Sequence, residues 1–128
     1  FGHWAAHRLE TMSEHQLRHG EAVGIGIGMD LFYASRVHLI SREDAVSTLE
    51  ALYACGLPLW HGALDRLDET GVPEVLGGIE DFREHLGGTL HVTFPSPIGE
   101  KVELTQMDRP TVVAAISDLR GFVSERSQ

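Results

Sequence analysis

Only one of the 128 residues is cysteine, 7% are aromatic, and basic side chains are outnumbered by acidic ones, ten to nineteen. The lone Cys55 excludes an internal disulfide and fits a reducing cytoplasm. It falls in a helical run, where a buried structural thiol is expected rather than a nucleophile. With few aromatics, the core must be built mainly from Leu, Ile, Val and Ala. A formal net charge of −9 with no basic stripe argues against a nucleic-acid partner. No run reaches the roughly 18 apolar residues needed to span a bilayer. The nearest, residues 22–34, is too short and carries Asp30. No basic region precedes an apolar one near the start, so no signal-peptide pattern is present. An acidic, cytoplasmic globule with no membrane partner is expected. An initiator Met is missing as well, while the densest chemistry sits in the first twenty positions. That combination leads us to expect a piece of a longer protein whose missing part is N-terminal.

Hydrophobic residues make up 42% of the chain, enough for one domain, residues 1–128, around a single core. Residues 1–15 read as a helix, with Trp4, Leu9 and Met12 among its apolar positions. A polar connection at 16–19 precedes a second helix from about residue 20 to 39, where Val23, Ile27, Leu31 and Phe32 recur at helical spacing. Ser41 should cap a third helix, with Asp44 three residues on, and Gly56-Leu57-Pro58 should end it. Residues 59–67 hold a short helix or turn. A further helix is predicted over 74–86, weakened by Gly77-Gly78 and stopped by Gly87-Gly88. Alternation in twos at 89–94 and 101–104 then predicts a β-hairpin with a loose loop. Residues 111–123 return to helical periodicity after Asp108-Arg109-Pro110, where Pro suits a first turn. The expected class is mainly α, with one small hairpin.

Eight histidines are present, and four of them, His3, His7, His15 and His19, fall within the first nineteen positions. His3 and His7 are four apart, so on a helix they project from one face about a turn apart. Two such imidazoles can converge on one ion, or one can bind metal while the other handles a proton. His19 opens the next helix and can be aimed at the same point. Neutral imidazole is a ligand for zinc and similar ions. A histidine pair at this spacing is also common on ordinary helix surfaces, and that reading stays open. His15, His38, His61, His85 and His91 are taken as ordinary surface or edge histidines.

Gly24-Ile25-Gly26-Ile27-Gly28 lacks the preceding strand that a phosphate-cradling loop needs. Gly20, Gly24 and Gly28, four apart, instead lay a groove along one helix face. A neighbouring helix is the expected occupant, with a bound substrate or cofactor edge as the alternative. Glu21 suits the first helical turn and could also hydrogen-bond a ligating imidazole from behind. Arg83 could bind an anionic substrate group or stand as a solvated helix charge.

The run Phe1-Gly2-His3-Trp4-Ala5-Ala6-His7-Arg8-Leu9-Glu10, then His19-Gly20-Glu21-Ala22-Val23 and Gly26-Ile27-Gly28-Met29, resembles the C-terminal domain of 3-dehydroquinate synthase. More broadly it is similar to the sugar phosphate cyclases, whose motif runs roughly F-G-H-x-x-G-H-x-x-E, then H-G-E-A-V and, shortly after, G-M. Gly87-Gly88-Thr89-Leu90 through Pro95, with Ile98-Gly99, is similar to the family's late hairpin. The resemblance implies the multi-helix C-terminal domain of that fold, with His3 and His19 as ligands of a zinc or cobalt ion. His7 would act catalytically, contacting the substrate or assisting proton transfer, and Arg83 would help hold substrate.

The same resemblance puts the third ligand, a glutamate, and the NAD-binding domain upstream of this chain, so no NAD-contacting residue is expected here. Family members oxidise an alcohol transiently with NAD, eliminate phosphate, reduce the ketone and close a carbocycle, chemistry related to the shikimate pathway. The implied partners are a phosphorylated sugar or sugar acid, the chain's own N-terminal domain and a second copy in a homodimer. The chain alone would be inactive. Ala6 replaces a family glycine, Trp4 is bulkier than usual, and a common D-K-K triplet aligns with Phe82-Arg83-Glu84. A substrate other than the usual heptulosonate phosphate is therefore expected. The combination of residues 1–10, Arg18-His19-Gly20-Glu21 and residues 80–88 resembles the divergent synthase-like branch of bacterial Ebo clusters. Two other readings stay open: an iron-type, NAD-dependent alcohol or polyol dehydrogenase, and a non-catalytic helical binding module.

Overall fold

The computed structural model describes residues 2–126. Within them the chain forms helices α1 (His3–Met12), α2 (His19–Arg36), α3 (Arg42–Ala54) and α4 (Gly77–His85), then strands β1 (Val92–Pro95) and β2 (Lys101–Leu104), and finally α5 (Arg109–Arg126). Two 3₁₀ turns, Gly62–Asp65 and Glu74–Leu76, lie between α3 and α4.

The mainly helical class with one hairpin is what the periodicity predicts, and the boundaries move for local reasons. The first helix ends at Met12, not at residue 15, because Glu14 and His15 take left-handed backbone conformations (φ 54° and 65°). Its expected start at Phe1 lies outside the described residues. The second helix begins one residue early, at His19, and ends at Arg36 rather than 39, where His38 is also left-handed (φ 65°). Ser41 caps α3 as expected: its hydroxyl accepts the Asp44 backbone N–H at 3.0 Å, satisfying one of the unpaired amides of the first turn. The predicted helix over 74–86 divides into a 3₁₀ turn and α4.

Helix α2 is central because it is apolar nearly all round, so it must be enclosed. It buries Ile25, Met29, Leu31 and Phe32 against α1, α3, α5 and β1. Leu9, Leu49, Phe94 and Leu119 complete the core from those neighbours. The hairpin pairs Val92 with Leu104 and Phe94 with Val102. Phe94 stacks on Tyr33 of α2, centroids 5.2 Å apart, which seats the hairpin on the core.

Two expectations need correction. Cys55 is exposed, not buried: it caps the C-terminal end of α3, a helix that buries only Ala45 and Leu49. The glycines of α2 do not form one groove either. Gly20 faces open space, Gly24 meets Leu57 and Leu59, and Gly28 meets Leu119 and Leu49. The tightest approach belongs to Gly26, outside that row, where a Cβ would stand 2.0 Å from the Gly2 carbonyl oxygen. A backbone, rather than a ligand, occupies the space.

Candidate functional site

The chain enters α1 through Gly2, whose left-handed φ of 83° disfavours any residue with a Cβ. A side chain there would also meet the backbone of α2 at Val23 and Ile27. Gly2 against Gly26 thus lets the start of α1 lie directly on α2. On the other flank, Gly78 of α4 approaches the Trp4 carbonyl so closely that a Cβ would stand 2.5 Å from it. The glycines that weaken α2 and α4 as isolated helices therefore clamp α1 between them.

This packing brings His3 of α1 and His19 of α2 together, with ring centroids 6.0 Å apart. Two imidazoles sharing a tetrahedral ion, each with a metal–nitrogen bond of about 2.0–2.1 Å, hold their centroids roughly 5–5.5 Å apart. The observed separation is slightly wider than that. The pair's two nitrogen donors suit zinc or a similar borderline cation. Among the described residues no group of three or more His, Cys, Asp or Glu side chains gathers as a complete ligand set.

His3, His7 and His19 line one cleft of about 970 Å³. Facing them, α4 contributes Asp81, Phe82, Glu84 and His85. The cations in this wall are already engaged. Arg8 pairs with Asp81 at 3.0 Å, and Arg66 donates to the Met12 carbonyl at 3.0 Å. Arg83 does not line the cleft; it donates to Glu80 (2.8 Å) and to the Gly88 carbonyl (2.9 Å). That Glu80 contact holds the Arg83 guanidinium above its ordinary value and the Glu80 carboxyl below its own.

Glu21 accepts the Arg18 backbone N–H at 2.9 Å and so acts at the start of α2. The carboxylate beside a candidate ligand is instead Glu10, 3.2 Å from His19 Nδ1. The signal for it was present, since residues 3, 7 and 10 fall on one helix face. His85 lines the cleft although its sequence context looked ordinary.

Asp30 is the other residue without a local signal. It is fully buried, and its two carboxylate oxygens accept the Gly2 backbone N–H at 2.6 Å and the Trp4 indole N–H at 2.7 Å. Burial pushes its pKa up to about 7, with the bonds from Trp4 and Gly2 pulling the other way. Trp4, the bulky departure at the start of the histidine motif, is thus matched by an acid 26 residues away.

The family model for the 3-dehydroquinate synthase C-terminal domain matches residues 1–75. A 3-dehydroquinate synthase from Solibacter usitatus is 26% identical over 117 residues, which is 91% of this chain and 31% of that protein. A 2-epi-5-epi-valiolone synthase from Streptomyces glaucescens is 27% identical over 109 residues, 84% of this chain and 26% of the relative. The chain thus spans about a third or less of the length of these curated relatives. Among solved structures, the 2-epi-5-epi-valiolone synthase ValA from Streptomyces hygroscopicus subsp. jinggangensis, with NAD+ and Zn2+ bound, superposes with a TM-score of 0.82. It is 24% identical, and the match covers 94% of this chain and 32% of ValA. At that identity the likeness shows the fold: this is the helical domain seen in such synthases.

Proposed function

The chain belongs to the 3-dehydroquinate synthase C-terminal family, and on that premise we propose that it supplies the metal- and substrate-facing half of a sugar phosphate cyclase active site. The observation that carries the reading is the pair His3 and His19, rings 6.0 Å apart, opening on the same cleft as His7. In this reading His3 and His19 are two ligands of a zinc or cobalt ion. The remaining ligand and most of the NAD site come from an N-terminal domain of the same protein. Bound there, the ion would supply polarisation of a substrate carbon–oxygen bond and NAD would supply reversible hydride transfer.

The chain's own residues do the rest. Glu10 on His19 Nδ1 orients the ring so that Nε2 is the free donor. His7, a turn beyond His3 on the same face, reaches the substrate and takes or returns a proton there. Phe82 and the engaged Arg8–Asp81 pair form the opposite wall. The substrate class is a phosphorylated sugar or sugar acid, consistent with the activities named for the relatives. The isolated chain, lacking the other half-site, is inactive, and the working protein is a cytoplasmic homodimer.

The test is an assay of the intact protein with NAD, zinc and phosphorylated sugars. Phosphate release without net NADH formation supports the cyclase. Net NADH without phosphate would assign an alcohol dehydrogenase instead. No zinc uptake, and no change on His3→Ala or His19→Ala, would leave a non-catalytic helical module.

A further inference from the structure

We propose that Asp30 is the positioning residue of the histidine pair: from α2 its carboxylate grips both sides of His3 and so fixes where that ring stands relative to His19. The inference rests on the reading of His3 and His19 as metal ligands. One carboxylate oxygen takes the backbone N–H of Gly2, the residue before His3, and the other takes the indole N–H of Trp4, the residue after it. Asp30 and His19 share α2, so the clamp ties the first ligand to the helix that carries the second.

The geometry is expensive to build for packing alone. A carboxyl group fully enclosed among apolar neighbours costs several kcal/mol of desolvation, offset here by the two N–H donors of Gly2 and Trp4, which an apolar residue would leave without this acceptor. Gly2 and Gly26 bring the two backbones close enough for the bonds to form. Gly2 offers no side chain to hold the entry to α1, and its left-handed conformation is flexible by nature. The carboxylate supplies the restraint that the glycine lacks.

The experiment compares zinc affinity, by competition with a chromophoric chelator, in the intact protein and in Asp30→Asn, Trp4→Phe and the double variant. His3→Ala and His19→Ala are run beside them, with Val112→Ala as a core control in α5. Asp30→Asn turns one acceptor into a donor facing an N–H, and Trp4→Phe deletes one bond while keeping a ring. Each should weaken zinc binding about 10- to 100-fold and alter the visible spectrum of the cobalt-substituted protein. The double variant should lose no more than the worse single one. Val112→Ala should lower the melting temperature and leave affinity unchanged.

If zinc is not taken up, or His3→Ala and His19→Ala bind it as the parent does, the metal reading fails and takes this inference with it. If those two lose zinc while folded Trp4→Phe and Asp30→Asn bind it normally, the metal reading stands and the clamp is refuted. Should Asp30→Asn not fold, Trp4→Phe decides alone.

Discussion

Glu10 places a carboxylate oxygen 3.2 Å from Nδ1 of His19, bridging the third turn of α1 and the first residue of α2. A carboxylate there favours the tautomer with the proton on Nδ1 and leaves Nε2 for a ligand. Partners of this kind are typically worth 10- to 100-fold in metal affinity. We therefore expect Glu10→Gln to weaken zinc binding by about tenfold or more in a chelator competition. Glu21→Gln should leave zinc affinity unchanged and cost only about 0.5–1 kcal/mol of stability, because Glu21 caps α2 through the Arg18 N–H. Equal effects at both positions would contradict this division of roles.

His7 separates binding from chemistry. It shares the cleft with His3 and His19, the proposed ligands. His7→Gln should lower kcat for phosphate release by roughly 10²- to 10⁴-fold, the usual scale for losing a general acid or base. Zinc uptake should be unaffected. Loss of zinc in that variant would make His7 a ligand instead.

Signals confined to one helix turn were readable in the sequence, and contacts between distant segments were not. Ser41 and Asp44 announce the start of α3 because capping involves residues three apart. His3 and His7 announce a shared face for the same reason. Glu10 lies on that face too, while Glu21 was the expected partner of a ligating imidazole; the structure sets Glu10 beside His19 and Glu21 on the Arg18 amide. Asp30 has partners 26 and 28 residues away, and in the sequence it only marks an apolar run as unfit for a membrane. Cys55, expected as a buried thiol in its helical run, is exposed because packing buries just Ala45 and Leu49 of α3.

Two glycine replacements should act in opposite directions. Gly26→Ala puts a Cβ 2.0 Å from the Gly2 carbonyl oxygen, a backbone atom that cannot rotate away. Overpacking of this kind costs roughly 1–3 kcal/mol, and the displaced Gly2 should carry His3 with it and weaken zinc binding. Gly121, within α5, has nothing within 4 Å of its would-be Cβ. Gly121→Ala should stabilise the protein by about 0.5–1 kcal/mol through helix propensity. Urea unfolding of both variants checks the pair, and a Gly26→Ala protein as stable as its parent would mean the two backbones do not meet.

Asp30 also makes stability depend on pH in a direction opposite to most carboxylates. Burial raises its folded-state pKa from 3.8 to about 7, so between those values the unfolded chain loses a proton that the folded chain keeps. Stability from this group is fully present at low pH, falls as pH rises toward 7, and levels off above. Carboxyls held low in the fold, such as Asp68 and Glu80, give the opposite slope at more acid pH, so the comparison must be made by difference. The unfolding free energy of the parent minus that of Asp30→Asn should decline between pH 5 and about 7 and then stay flat. The indole N–H resonance of Trp4, bonded to the titrating carboxyl, should shift with the same midpoint. A flat difference together with an unmoved resonance would place Asp30 as a permanent carboxylate, held ionised by its two donors against the cost of burial.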